Sequence, residues 1–389
     1  MPKFKTEKEF KEIEIKEPKD YGKRYAAVSV AAATAIAAAP IIGGVVVNRR
    51  RKALDYGDAV SVQGAELVTA SGEKLQIAGI NLNDYVFGCR DGNDIVEGGS
   101  RGAFNSLKKR FGDYGAREIF GKSFENAVMP ADVKELAKLG VNCVRLPLRS
   151  FLLFRNEKVT KKSDPLLKRL DKFVNKCAKA GIYVIFTCED APGLNPENGE
   201  YSLFELGKHS FSKRNEFVRM CSEISTHYKD NPALLGYEIP FDSAMEDKNG
   251  KRENIYKSLC IRTAKALRTL NDTRPVFIHP ASMPEDTAEF ADLGIALMTD
   301  IDSPDVTAFI SAAQGKLPCI VISEGGRIAD SADTDGFVGV ISGFYKGGNP
   351  DTCLYSKPKD FIDVTSDSYD EICEKVASPS KTENYMKMN

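Results

Sequence analysis

A chain of 389 residues, 42% hydrophobic and 28% charged, can bury the core of one large α/β barrel or of two ordinary domains. Its 54 basic and 55 acidic residues balance to a net charge of −1, which excludes the electrostatic footprint of a nucleic-acid-binding protein. The nine cysteines are odd in number and form no CxxC pair, which excludes the usual structural zinc sites; Cys143, Cys177, Cys188, Cys260 and Cys319 fall in apolar strands or helix faces and read as small buried hydrophobes.

Residues 1–24 carry eight Lys/Arg and six Asp/Glu with few apolar residues, the composition of a solvated tail. Tyr25 to Val47 then runs 23 residues without a charge. As a helix this would span about 34 Å, enough to cross a bilayer, so it reads as a single transmembrane anchor. It stops at Asn48-Arg49-Arg50-Arg51-Lys52, and residues 48–65 read as a linker. The basic cluster just after the span favours a cytoplasmic large domain, whereas the larger Lys/Arg total before it favours the reverse.

From residue 66 to 389 the pattern is one domain in which apolar strands alternate with helices. The expected strands are Leu75 to Asn81, Asn142 to Leu146, Tyr183 to Phe186, Leu234 to Ile239, Pro275 to Ile278, Ile295 to Met298, Cys319 to Ile322 and Val338 to Phe344. Among the helices between them, Leu166, Leu170, Phe173, Val174 and Cys177 recur at i, i+3, i+4 spacing up to Gly181, and similar patterns run from about Ser212 to Tyr228 and from Glu253 to Leu270. Eight strands in strand–helix order predict an α/β fold, a closed (β/α)8 TIM barrel with parallel strands. The long first crossover, Asp84 to Ala131, is expected to decorate the barrel mouth as a loop.

In such a barrel the reactive groups sit at the C-terminal ends of strands. That rule selects Arg145, Glu189, Asp242, Asp300 and Glu324. Three segments, ELAKLGVNCVRLPLRS (Glu135 to Ser150), NPALLGYEIP (Asn231 to Pro240) and LPCIVISEGG (Leu317 to Gly326), resemble glycoside hydrolase family 5, the cellulase family of retaining glycosidases. The resemblance spans roughly Glu66 to Lys346. It implies hydrolysis of a β-linked glucan or mannan without a cofactor, Glu324 as nucleophile, and Arg145 as the arginine that holds the nucleophile ionised. It also implies polysaccharide or oligosaccharide as partner, which would place the barrel of this single-pass, anchored chain outside the cytoplasm.

Several positions depart from the family pattern. Where the family writes Asn-Glu-Pro after the fourth strand, this chain has Phe241 and Asp242, so the implied acid/base is Asp242, shorter by one methylene. The family's third-strand histidine is Glu189 here, its His-x-Tyr pair becomes Asp300 and Asp302, and its eighth-strand Trp becomes Phe344 and Tyr345. The chain contains no tryptophan. Glu189, Asp190, Asp242, Asp300, Asp302 and Glu324 are expected to crowd the mouth with Arg145 as the one base there, either fanned apart in solvent without a metal or, as the alternative, around a Ca²⁺ or Mg²⁺ that oxygen ligands suit. Two readings follow from the resemblance: a retaining glycosidase with weakened acid catalysis, or an inactive barrel that binds a glycan or a cell-envelope partner.

Overall fold

The computed structural model describes residues 52–82, 99–128, 130–155, 158–159, 164–195, 199–241, 250–280, 283–284, 287–300, 306–323, 337–347, 353–356, 368, 370–372 and 374. The tail and the anchor segment Tyr25 to Val47 lie outside these residues. Among the described residues no helix is long and apolar enough to cross a membrane.

The eight expected strands form, each shifted by a few residues at most. A hairpin, β1 (Val60–Gln63) and β2 (Glu66–Thr69), precedes the barrel strands β3 (Ile77–Asn81), β4 (Cys143–Arg149), β7 (Tyr183–Asp190), β8 (Leu234–Ile239), β9 (Val276–Ile278), β10 (Ile295–Asp300), β11 (Cys319–Ser323) and β12 (Gly339–Gly347). A two-residue ribbon, β5 (Phe154–Arg155) and β6 (Lys158–Val159), lies between β4 and β7, and β13 (Cys353–Ser356) pairs in parallel with the C-terminal end of β12. Each barrel strand pairs in parallel with the next, and β12 returns to β3, so the sheet closes. Strands β4, β7 and β10 run two to four residues further at their C-terminal ends than the apolar pattern suggests. A strand inside a closed barrel keeps its ladder after its side chains turn polar, as the pairing of Arg149 with Asp190 illustrates.

The helices follow from their punctuation. Helix Pro165–Ala180 starts at Asp164, whose Oδ1 accepts from the Leu166 and Leu167 amides, and ends at Gly181, held at φ 73°. Its face of Leu166, Leu170, Phe173, Val174 and Cys177 is buried against the strands.

Two expectations are corrected. The first crossover is not a loop from Gly99 on: Gly99–Ala127 is helical, broken at Gly112 (φ 74°, ψ 171°). Glycines 102, 112, 115 and 121 hide the helix from a propensity reading. Buried Phe104, Leu107, Phe120 and Phe124 nevertheless carry it onto the core. Ordered structure also begins before Glu66, inside the stretch read as linker. The Leu54 amide donates to the Ala178 carbonyl (2.8 Å), Tyr183 Oη donates to the Asp58 carbonyl (2.8 Å), and Val60 and Leu67 join the apolar cluster that fills the barrel's lower interior. The hairpin is therefore the barrel's floor.

Above the floor, the interior is stacked in layers because alternate residues of each strand face inward. Ile77, Cys143, Tyr183, Ile185, Leu235, Phe277, Met298 and Ile320 make its apolar part. Gly236 leaves room there for Phe277: a Cβ on it would meet the ring at 2.9 Å and the Pro275 carbonyl oxygen at 2.3 Å. Gly236→Ala should therefore destabilise the domain by on the order of 2–3 kcal/mol in a denaturant titration, through a backbone shift that a surface glycine would not need. Cys143, Cys177, Cys188, Cys221, Cys260 and Cys319 are free and buried, as expected of small hydrophobes.

Candidate active site

One layer higher, at the C-terminal ends of the strands, the interior turns from apolar to polar. Asn81 follows Ile77 and Gly79 on β3, Arg145 follows Cys143 on β4, and Thr187 and Glu189 follow Ile185 on β7. Glu238 of β8 stands opposite Thr187 in the strand register. Asn81, Thr187 and Glu238 are fully buried, and Arg145 is 5% exposed.

Arg145 is the centre of this layer. Its Nε and Nη2 donate to the two carboxylate oxygens of Glu238 (2.5 and 2.6 Å), a bidentate fork. Nη1 donates to Asn81 Oδ1 (3.2 Å), Nη2 reaches Thr187 Oγ1 (3.5 Å), and Glu189 Oε1 stands 3.8 Å from Nη2. On the other side of Glu238, Oε1 accepts from His279 Nε2 (2.8 Å), which fixes the proton on that ring nitrogen because an ionised carboxylate can only accept. Burial works to raise the Glu238 pKa, but Arg145 and His279 together outweigh it and hold the group at about 2, well below its ordinary 4.5. Glu238 is thus ionised at neutral pH, and its charge orients Arg145 and His279. Asn81 Nδ2, also buried, has no hydrogen-bond partner among the described residues.

Tyr256 ties the ends of β8 and β9 together. Its hydroxyl donates to the Ile239 carbonyl (2.7 Å) and accepts from the His279 amide (2.7 Å). Phe241, just past β8, stacks on the Tyr256 ring (centroids 4.6 Å, 20° between planes) and meets Phe204 edge-on (5.4 Å). It is 6% exposed, so the side chain standing where the family has asparagine is packed into the wall.

A second carboxylate of the rim, Asp190, is buried between cations. Arg101 Nη2, from the first turn of helix Gly99–Ala127, donates to both of its oxygens (2.8 and 3.0 Å), and Ser150 Oγ donates to Oδ1 (2.7 Å). Burial still prevails over Arg101, Ser150 and Arg149, and the Asp190 pKa lies above its ordinary value.

The structure brings Arg145 and Glu189 together at the mouth, as the strand-end rule predicts. Asp300 ends β10 there too, but exposed and outside the interior layer. Phe344 and Tyr345 fall on β12, and their side chains are not among those described. Asp242, Asp302 and Glu324 lie outside the described residues; Glu324 directly follows Ser323, the last residue of β11. The expectation of a mouth with one base is corrected. Arg101, Arg149 and His279 join Arg145 there, because the long first-crossover helix delivers Arg101 and β9 delivers His279. Glu238 and His279 escaped the sequence reading. One signal was available for Glu238: a carboxylate inside an otherwise apolar strand needs a buried partner.

The sequence model described as cellulase (glycosyl hydrolase family 5) matches residues 112–305, about half of the chain and the stretch that carries Arg145, Glu189, Glu238 and His279. The chain belongs to glycoside hydrolase family 5. A β-xylosidase of Phanerodontia chrysosporium is 25% identical over 247 residues, 60% of this chain. The chain spans 48% of the length of that relative, about half. Among solved structures, the fold is similar to a family 5 enzyme of Prevotella bryantii B14 in complex with a xyloglucan tetradecasaccharide (13% identity, 81% of this chain and 98% of that one, TM-score 0.48). It is also similar to a β-mannanase of the blue mussel Mytilus edulis (12% identity, 82% and 95%, TM-score 0.43).

Proposed function

We propose that this family 5 barrel is a retaining β-glycosidase acting on a β-linked glucan or mannan, with Glu324 as nucleophile and Asp242 as acid/base. The observation that carries the reading is the prearranged layer of Arg145, Glu238, His279 and Asn81 beneath the mouth. Electrostatic preorganisation of this kind is costly to bury and is of use where charge develops in a reaction. In the proposed reaction the Glu324 carboxylate attacks the anomeric carbon while Asp242 protonates the departing glycosidic oxygen, leaving a glycosyl ester. Water then gives its proton to Asp242 and displaces Glu324, releasing the sugar with its configuration retained. Arg145 and the unpartnered Asn81 amide border this site as positioning groups, and Glu189, Asp300, Asp302, Phe344 and Tyr345 are its sugar-binding rim. The barrel domain is held to a membrane by Tyr25 to Val47, with the barrel outside the cytoplasm.

Aspartate at 242 reaches about 1.5 Å less than glutamate, a misplacement that can cost on the order of a hundredfold in rate. Activated aryl β-glycosides, whose leaving groups need little protonation, should therefore be cleaved by the purified full chain at least about a hundredfold faster than unactivated oligosaccharides. Glu324→Gln should abolish both activities, by about a thousandfold or more. A folded protein silent on the whole aryl panel would remove the hydrolytic reading. One observation favours the second reading, an inactive glycan-binding barrel: Phe241 is stacked into the wall and cannot reach a sugar hydroxyl. Retention on immobilised glucan or mannan without turnover would support it.

A further inference from the structure

The flank formed by helices Pro130–Lys138 and Pro165–Ala180, which pack side by side, presents a lysine cluster. Lys172, Lys176 and Lys179 recur at i, i+4 and i+7 on one helix, and Lys134 and Lys138 at i and i+4 on the other. Lys138 and Lys172 have carboxylate partners in Glu135 (3.3 Å) and Glu125 (3.5 Å). Lys134, Lys176 and Lys179 have none within ion-pair distance among the described residues. Lys176 is close enough to its neighbours that, beyond partial burial, repulsion by Lys172, Lys134 and Lys179 lowers its pKa.

Two further facts concern position. Lys138 and Lys179 sit in the last turns of their helices, just before β4 and β7 begin, and so at the barrel end opposite the mouth. The chain also enters the domain beside them, because the Leu54 amide is bonded to the Ala178 carbonyl, next to Lys179. Upstream of Leu54 come Arg49-Arg50-Arg51-Lys52 and the uncharged segment ending at Val47. The seven residues from Val47 to Leu54 reach about 25 Å at most, so an anchor at Tyr25 to Val47 holds this flank near the bilayer surface. The floor hairpin is a poorer candidate, with Asp55, Asp58, Glu66 and Glu73 against Lys52 and Lys74.

We propose that the lysine flank docks on an anionic lipid surface and holds the tethered barrel with its mouth pointing away from the bilayer. The inference rests on the anchor reading above. Its physical basis is charge complementarity at a site the tether keeps close: each lysine brought to an anionic surface gains about fivefold in docked population, and tethering turns the encounter into an intramolecular one.

The test is lysine footprinting by amine acetylation and mass spectrometry on the full chain reconstituted in vesicles. Neutral phosphatidylcholine vesicles are compared with vesicles containing about 30% phosphatidylglycerol, and Lys208, exposed at the start of the helix Lys208–His227 on the mouth side, is the internal control. On anionic vesicles, labelling of Lys134, Lys176 and Lys179 relative to Lys208 should fall on the order of tenfold, and about 0.5 M salt should restore it. In Lys134→Gln/Lys176→Gln/Lys179→Gln, with three exposed or half-exposed sites changed, Lys138 and Lys172 should lose that protection by on the order of a hundredfold in docked population. Equal labelling ratios on the two vesicle types, or protection of Lys208 together with the flank, would overturn the proposal. Failure of the anchor reading looks different: the chain would then not float with neutral vesicles, while footprinting on anionic ones would still report on the flank.

Discussion

Arg145→Met should cost the fold about 3–5 kcal/mol, because it strands the Glu238 carboxylate, fully buried, without the bidentate partner that stabilises its charge. Against a typical total stability of about 5–15 kcal/mol this is among the largest single-residue effects expected in the barrel. The loss should read out as a lower denaturation midpoint, and Arg145→Met/Glu238→Leu should recover much of it, since two apolar partners leave no orphan charge. The pH dependence gives an independent check. The folded pKa of Glu238, about 2, lies below its ordinary 4.5, so its ionised form contributes stability that is present above pH 4.5 and lost as the pH falls toward 2. That shift corresponds to roughly 3 kcal/mol. Glu238→Gln should flatten the acid limb of the stability profile in that window.

Phe241→Asn, the substitution that restores the family's asparagine, should destabilise the domain by about 3–4 kcal/mol without restoring anything. The ring it removes fills a buried niche against Tyr256 and Phe204, and the amide it introduces would have no partner there. Phe241→Leu, closer in volume and still apolar, should cost less than about 2 kcal/mol in the same denaturant titration. The ring at this position belongs to the wall. Asp242→Glu alone is therefore the cleaner repair. It should raise the rate on unactivated oligosaccharides more than on aryl glycosides, because acid assistance matters most for a poor leaving group. Equal gains on both substrate classes would show that reach of the acid is not what limits this site.

Much of the architecture was legible because the barrel strands write themselves as short apolar runs between helix punctuation, as CIVIS of β11 does between Leu317-Pro318 and the glycines at 325 and 326. Helix Gly99–Ala127 was not legible. Its buried face is real, but four glycines past its first residue dilute the propensity, and its docking on the core is a tertiary effect. Arg145 and Glu189 could be placed at the mouth from strand ends alone. Glu238 could not, because a single carboxylate in LLGYEI looks like the outward-facing residue of a strand until Arg145, 93 positions away, is seen to hold it. His279 likewise gains meaning from Glu238, 41 positions away. Pairings of this range are set by closure of the barrel, which no local pattern encodes.

The most direct test of the central claim, that this chain is a retaining glycosidase with Glu324 as its nucleophile, is to trap the covalent intermediate. Incubation with activated 2-deoxy-2-fluoro β-glycosides slows both displacement steps through the fluorine, while the good leaving group lets the first proceed without full acid assistance. Intact-mass spectrometry should then show one added glycosyl unit, and fragmentation should place it on the peptide containing Ser323 and Glu324. Glu324→Gln should carry none. A glycosyl adduct on Asp242, Glu189 or any other carboxylate, or a folded protein that accumulates no adduct with any of these glycosides, would contradict the account.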